Sequence, residues 1–134
     1  MDIFKAGSRP SGSGSADYFT GDVTTDPIVS AAAPARVAAL RVRFAPGART
    51  AWHTHPLGQT LYVVSGAGLV QKEGEAAVRI LPGDTVWIPP GEKHWHGATA
   101  GNAMAHIAIH EALDGSNVTW LEQVSDEDYA AAQE

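Results

Sequence analysis

The chain has 134 residues, 44% of them hydrophobic and 18% charged, with a net charge of -6 from 9 Lys+Arg against 15 Asp+Glu. That is enough for one folded domain around one core, and the acidic balance argues against a nucleic-acid partner or an anionic membrane surface. Cysteine is absent, which excludes disulfides, thiol catalysis, thiolate zinc sites and iron–sulfur clusters. No apolar run reaches the ~18 residues of a membrane span, and Met1-Asp-Ile-Phe-Lys5 does not read as a secretory leader, so a cytoplasmic location is expected.

In chain order, residues 1–16 form a Gly/Ser-rich segment that reads as a flexible tail. Tyr18-Phe19 and residues 23–29 suit edge strands with turns at Gly21 and Pro27. Leu40, Val42 and Phe44 alternate with Arg41 and Arg43, a strand with one buried and one charged face. Strands are then predicted over 50–55, 59–65, 69–72, 76–81, 86–88, 94–96, 104–110 and 118–124. Gly and Pro punctuate them, and Gly66-Ala-Gly68 carries a hairpin signal. Only residues 126–133 look helical, with Ser125 as N-cap and acids in the first turn. Many short strands with regular turns mean one all-β barrel or sandwich, residues 36–124 forming its core.

The 6 histidines carry the chemistry. His53 and His55 are one residue apart, as are His94 and His96; on a strand each pair projects to one face. His106 and His110 share a face with Met104 and Ala108. Imidazole is the commonest metal ligand, and a pair on one strand brings two ligands with the right mutual spacing. Gln59, after the tight reversal His55-Pro-Leu-Gly-Gln59, shares a face with Leu61 and Val63, and its oxygen can reach the same point.

The frame around these residues resembles a known family. Gly47, five residues, His53-Thr-His55, three residues, Gln59, six residues, Gly66 is similar to the first cupin motif, where the family usually has Glu in place of Gln59. Gly83, five residues, Pro89-Pro-Gly91, two residues, His94 is similar to the second, with Ala98 where the family often has Asn. The resemblance implies a cupin (double-stranded β-helix, jelly-roll) barrel spanning 1–134 with a short C-terminal helical segment, and one divalent metal per chain. The implied ligands are His53, His55, Gln59 and His94. The stretches 16–21, 46–60, 89–97, 111–115 and 120–122 resemble one bacterial cupin subgroup, associated with carboxymuconolactone decarboxylase-type proteins, whose characterised members include manganese-dependent hydroxynitrile lyases acting on cyanohydrins such as mandelonitrile. At the positions of Leu40 and His110 those members carry a smaller Ala and a Gln.

Manganese(II) is the metal this resemblance puts first, with Fe, Co, Ni or Zn compatible with the same donors. Gln59 is neutral, so three His and one Gln leave the cation its full charge and no carboxylate base. His106 is then the expected proton carrier, with a pKa near the working pH, and His96 and His110 stand behind it. Leu40, Val42, Phe44, Leu61, Val63 and Met104 are the expected apolar wall for an aromatic aldehyde. The same ligands would also serve a mononuclear Mn or Fe dioxygenase, or a non-catalytic small-molecule or metal-binding module. Ile107 and Ile109 face away from His106 and need cover, which a homo-oligomer, dimer or tetramer, would provide.

Overall fold

The computed structural model describes residues 1–133. Among them the Gly- and Pro-bounded segments become short strands, paired antiparallel throughout and arranged as two sheets. The first sheet holds β1 (Gly12–Ser13), β3 (Val23–Ser30), β4 (Val37–Phe44), β12 (Met104–Glu111), β7 (Gln59–Gly66) and β10 (Thr85–Ile88), in that spatial order. The second is centred on β11 (His94–Ala98). One edge of β11 pairs with β8 (Gly68–Lys72), which pairs in turn with β9 (Val78–Ile80). Its other edge pairs with β5 (Arg49–Thr50) and β6 (His53–Thr54), which are flanked by β2 (Phe19–Thr20) and β13 (Thr119–Trp120) respectively.

The core lies between the sheets because period-2 alternation gives each strand one apolar face. In β4, Val42 and Phe44 are buried while Arg41 and Arg43 are exposed. Phe44, Val63, Ile80, Ala98 and Met104 pack together and close one end of the barrel. Emptying such a site, as in Phe44→Ala, costs roughly 3–5 kcal/mol. On the outer face of the second sheet Trp95 meets Tyr129 of α1 (Asp126–Ala132), with ring centroids 5.8 Å apart. Ser125 caps that helix by accepting from the Asp128 N–H, as its sequence requires. Arg49, buried, donates to the Val124 carbonyl and lies 4.3 Å over the Tyr129 ring, tying the helix to β5.

The structure corrects several expectations. The 1–16 segment is not a loose tail along its length: Gly12 and Ser13 pair with Thr25 and Thr24. The barrel begins before residue 36, since β3 runs beside β4 along its length. The strand expected over 50–55 is broken at Ala51-Trp52, where the main chain turns to bond Tyr18 on one side and Glu122 on the other. The strand expected over 118–124 shrinks to β13. Gly66-Ala-Gly68 makes no hairpin. It carries the chain from one sheet to the other, passing so close to Ala103 that a Cβ on Gly66 would stand 1.8 Å from that carbonyl oxygen. The hairpin forms one strand later, at Glu73-Gly74 between β8 and β9.

Gly66 and Gly74 both have positive φ, +79° and +83°, but nothing lies within 4 Å of a Cβ built on Gly74. Gly74→Ala should therefore cost only the left-handed backbone term, about 1–2 kcal/mol, and Gly66→Ala clearly more. Chemical denaturation of the two variants checks the order.

Candidate functional site

The strand pairs put the histidines inside the barrel. His94 sits opposite His53 in the register of β11 and β6, with ring centroids 4.2 Å apart, and the His53 and His55 centroids are 5.0 Å apart. Each of these three rings has Nδ1 held by a main-chain carbonyl. His53 donates to Ala51 O at 2.8 Å, His55 to Asn117 O at 2.6 Å and His94 to Glu92 O at 2.9 Å. A neutral imidazole with its proton on Nδ1 keeps a lone pair on Nε2. The Nε2 atoms of His55, His94 and His96, His106 Nδ1 and Gln59 Oε1 are buried with no hydrogen-bond partner. Unpartnered buried acceptors are costly and rare, and this group has the donor chemistry of a divalent-cation site.

His96 and His106 meet across the barrel, one from each sheet, with His96 Nδ1 2.9 Å from His106 Nε2. Ring nitrogens of His53, His94 and His96 also lie within 4.8 Å of one another, so a buried three-His cluster that could hold a metal is present. His96 differs from the other two in that its Nδ1 is held by another imidazole rather than by a carbonyl. Phe44 packs beside both members of the pair, its ring centroid 5.3 Å from that of His106 and 6.0 Å from that of His96.

Burial pushes all six imidazoles below the usual histidine range. His94, His106 and His110 fall to about 4, chiefly through loss of water, with the neighbouring His55 adding to the shift at His94 and His110. His53 and His96 fall well below the usual value for the same reason, reinforced by His94 and His106 respectively. His55 is lowered by burial too, against the opposing hydrogen bond to the Asn117 carbonyl. His106 is thus a neutral acceptor in the resting protein rather than a group balanced near neutral pH.

A cavity of about 280 Å³ opens over this cluster, just below the ~300–1,000 Å³ usual for ligand sites. Leu40, Val42 and Phe44 line it as expected, together with His53, His55, Gln59, His96, His106 and His110. Leu61, Val63 and Met104 do not. They point inward but are packed solid, Leu61 against Ile88 and Ala108, the other two in the closed end. Phe19, Asn117 and Trp120 line the cavity too, although nothing in the sequence marks them as site residues. Trp120 lies over His53 at 4.8 Å and is stacked on Tyr18 at 4.7 Å. No spacing in the sequence links residues 117–120 to His53 and His55; they meet only because β13 pairs with β6. A larger groove of about 820 Å³, between α1 and the β8–β9 hairpin, contains none of the histidines.

Known proteins are similar to this chain in sequence and fold. A family model described as a cupin domain matches residues 40–110. A protein of Granulicella tundricola named (R)-mandelonitrile lyase is 59% identical over 129 residues, 96% of this chain and 98% of that protein. A cupin-like protein of Thermotoga maritima superposes with a TM-score of 0.87 at 40% identity, covering 100% of this chain and 98% of its own. A cupin-2 domain of Rhodospirillum rubrum, at 17% identity, shares the fold with a TM-score of 0.72 over 96% of this chain and 84% of its own.

Because the imidazoles titrate lower when folded, unfolding takes up protons in mildly acidic solution. The stability of the metal-free protein is full above the ordinary histidine value of 6.5 and is lost as pH falls toward about 4. The thermal midpoint in chelator should decline across that window. A flat profile would mean that the rings protonate freely in the folded barrel.

Proposed function

This chain belongs to the cupin family, and we propose that within it the chain is a metal-dependent hydroxynitrile lyase, cleaving a cyanohydrin such as mandelonitrile to aldehyde and HCN and running the reverse addition. What carries the reading is the set of buried, unpartnered donors at the foot of a mostly apolar cavity. The likeness to the Granulicella lyase over nearly the whole chain supplies the substrate class.

His53, His55, Gln59 and His94 would hold the cation. They are preferred over a set containing His96 because His53, His55 and His94 have their tautomer set by a carbonyl, whereas the His96–His106 bond can run in either direction and does not fix which ring donates. Manganese(II) is the proposed metal. A divalent cation there supplies Lewis acidity toward the substrate oxygen.

The chain's own residues do the rest. Leu40, Val42 and Phe44 bind the hydrocarbon part of the substrate and keep water from it. In cleavage the C–C electron pair leaves with cyanide, and the proton lost from the hydroxyl ends on HCN. His106, neutral and wholly buried, takes up a proton and delivers it to the departing cyanide. His96, bonded to its Nε2, orients that ring and shares its proton. The proposal includes a cytoplasmic homo-oligomer, dimer or tetramer. An apolar row supports the assembly: Trp87, Ile109 and Val29 run across the outer face of the first sheet, through Thr60 and Ala39, with exposures of 59%, 39% and 39%.

Metal-stripped protein should release aldehyde from mandelonitrile only when a divalent ion is restored, Mn(II) best among Mn, Fe, Co, Ni and Zn. No release with any of them, despite one bound ion per chain, overturns the lyase reading. His106→Ala should keep the metal and lose roughly 10²-fold or more in turnover, the usual weight of a lost proton carrier. Unchanged turnover removes His106 from the mechanism. Light scattering should give a mass of two or four chains, and a monomer would refute the assembly.

A further inference from the structure

Among the proposed donors, Gln59 alone has an orientation that its own chemistry leaves open. A carboxamide has two ends of almost the same shape. Only Oε1 has lone pairs for a cation, whereas Nε2 presents two hydrogens. Half a turn about the last side-chain bond exchanges them, so a neighbouring group must choose.

That group is His110. Gln59 Nε2 lies 3.3 Å from His110 Nδ1, while Gln59 Oε1 is buried with no partner. The two residues face each other across the β12–β7 ladder. The His110 ring is itself held, stacked on His55 at a centroid distance of 5.4 Å and an interplanar angle of 16°. A neutral imidazole whose Nδ1 bears a lone pair accepts from Nε2–H and cannot donate to Oε1 from the same atom. The bond therefore selects one of the two amide orientations, the one that turns Oε1 away from His110.

We infer that His110 is a positioning residue: it holds the Gln59 carboxamide with its oxygen turned into the His53–His55–His94 cluster, and so sets the affinity of that cluster for a divalent cation. The inference rests on reading the cluster as a metal centre. It is specific to glutamine, since a glutamate has two equivalent oxygens and needs no such partner.

The test measures Mn(II) and Co(II) dissociation constants of the full-length protein by chelator competition, with the visible spectrum of the Co(II) form as a second readout. His110→Phe keeps a flat ring for the stack on His55 and removes the acceptor. It should weaken binding by about 10-fold or more, within the ~10–100-fold cost of losing a partner that orients a metal ligand, and it should shift the Co(II) bands. His110→Asn places an oxygen near the old Nδ1 position and should restore most of the affinity and the original spectrum. In a Gln59→Glu background, His110→Phe should change little. Unaltered affinity in His110→Phe overturns the inference, and so does an equal loss in the Gln59→Glu background, which would make His110 a packing residue only. A parent protein that binds neither ion overturns the metal-centre reading itself, a result distinct from the other two.

Discussion

Three main-chain carbonyls, those of Ala51, Glu92 and Asn117, decide what the imidazoles of this barrel can do. Each takes the Nδ1 proton of one ring and leaves the opposite nitrogen with a free lone pair. Two of these bonds reach back only two residues, from His53 to Ala51 and from His94 to Glu92, so they come with the local path of the chain. The third spans 62 residues, from His55 to Asn117, and exists only because the C-terminal segment folds over the mouth. An unpartnered buried acceptor costs about 1–3 kcal/mol, so several in one place mark a site kept for a ligand rather than for stability.

The rest of the barrel holds these rings still. His94 and His96 point inward from β11, and Trp95 between them points outward against Tyr129, so the helix clamps the strand that carries two of the site's side chains. Tyr129 also donates to the Ala98 carbonyl at 2.6 Å. Arg49 adds two bonds to the Val124 carbonyl. Its contact with Asp126 adds little, because that carboxylate is 96% exposed. From the other sheet, β12 brings His106 to His96 and His110 to Gln59, so both polar pairs bridge separate strands.

Electrostatics gives the site its character. Among the described residues no carboxylate lines the cavity; its polar wall is imidazole, carboxamide and hydroxyl. Loss of water keeps every ring neutral, which is the state in which imidazole binds a cation or accepts a proton. A neutral donor set leaves a bound cation its full charge. The apolar wall from Leu40 to Phe44 would keep the effective dielectric low, so that such a charge would act strongly on a substrate oxygen.

By itself the sequence determined the all-β class, the inward pairs His53/His55 and His94/His96, the placing of Gln59 among them, and the capped helix after Ser125. These follow from period-2 alternation, tight Gly and Pro turns and side chains that satisfy helix ends, all of which act over a few residues. Tertiary structure decided the rest. It sent Gly66 across to the second sheet instead of into a hairpin, and it drew Gly12–Ser13 onto β3. It left Leu40 on the cavity wall while packing Leu61, Val63 and Met104 solid, although all four share the inward phase. It brought Asn117 and Trp120 onto His55 and His53, and His110 onto Gln59. Alternation tells which way a residue points, but what it meets there depends on pairings between segments far apart in the chain, and no local pattern encodes those distances.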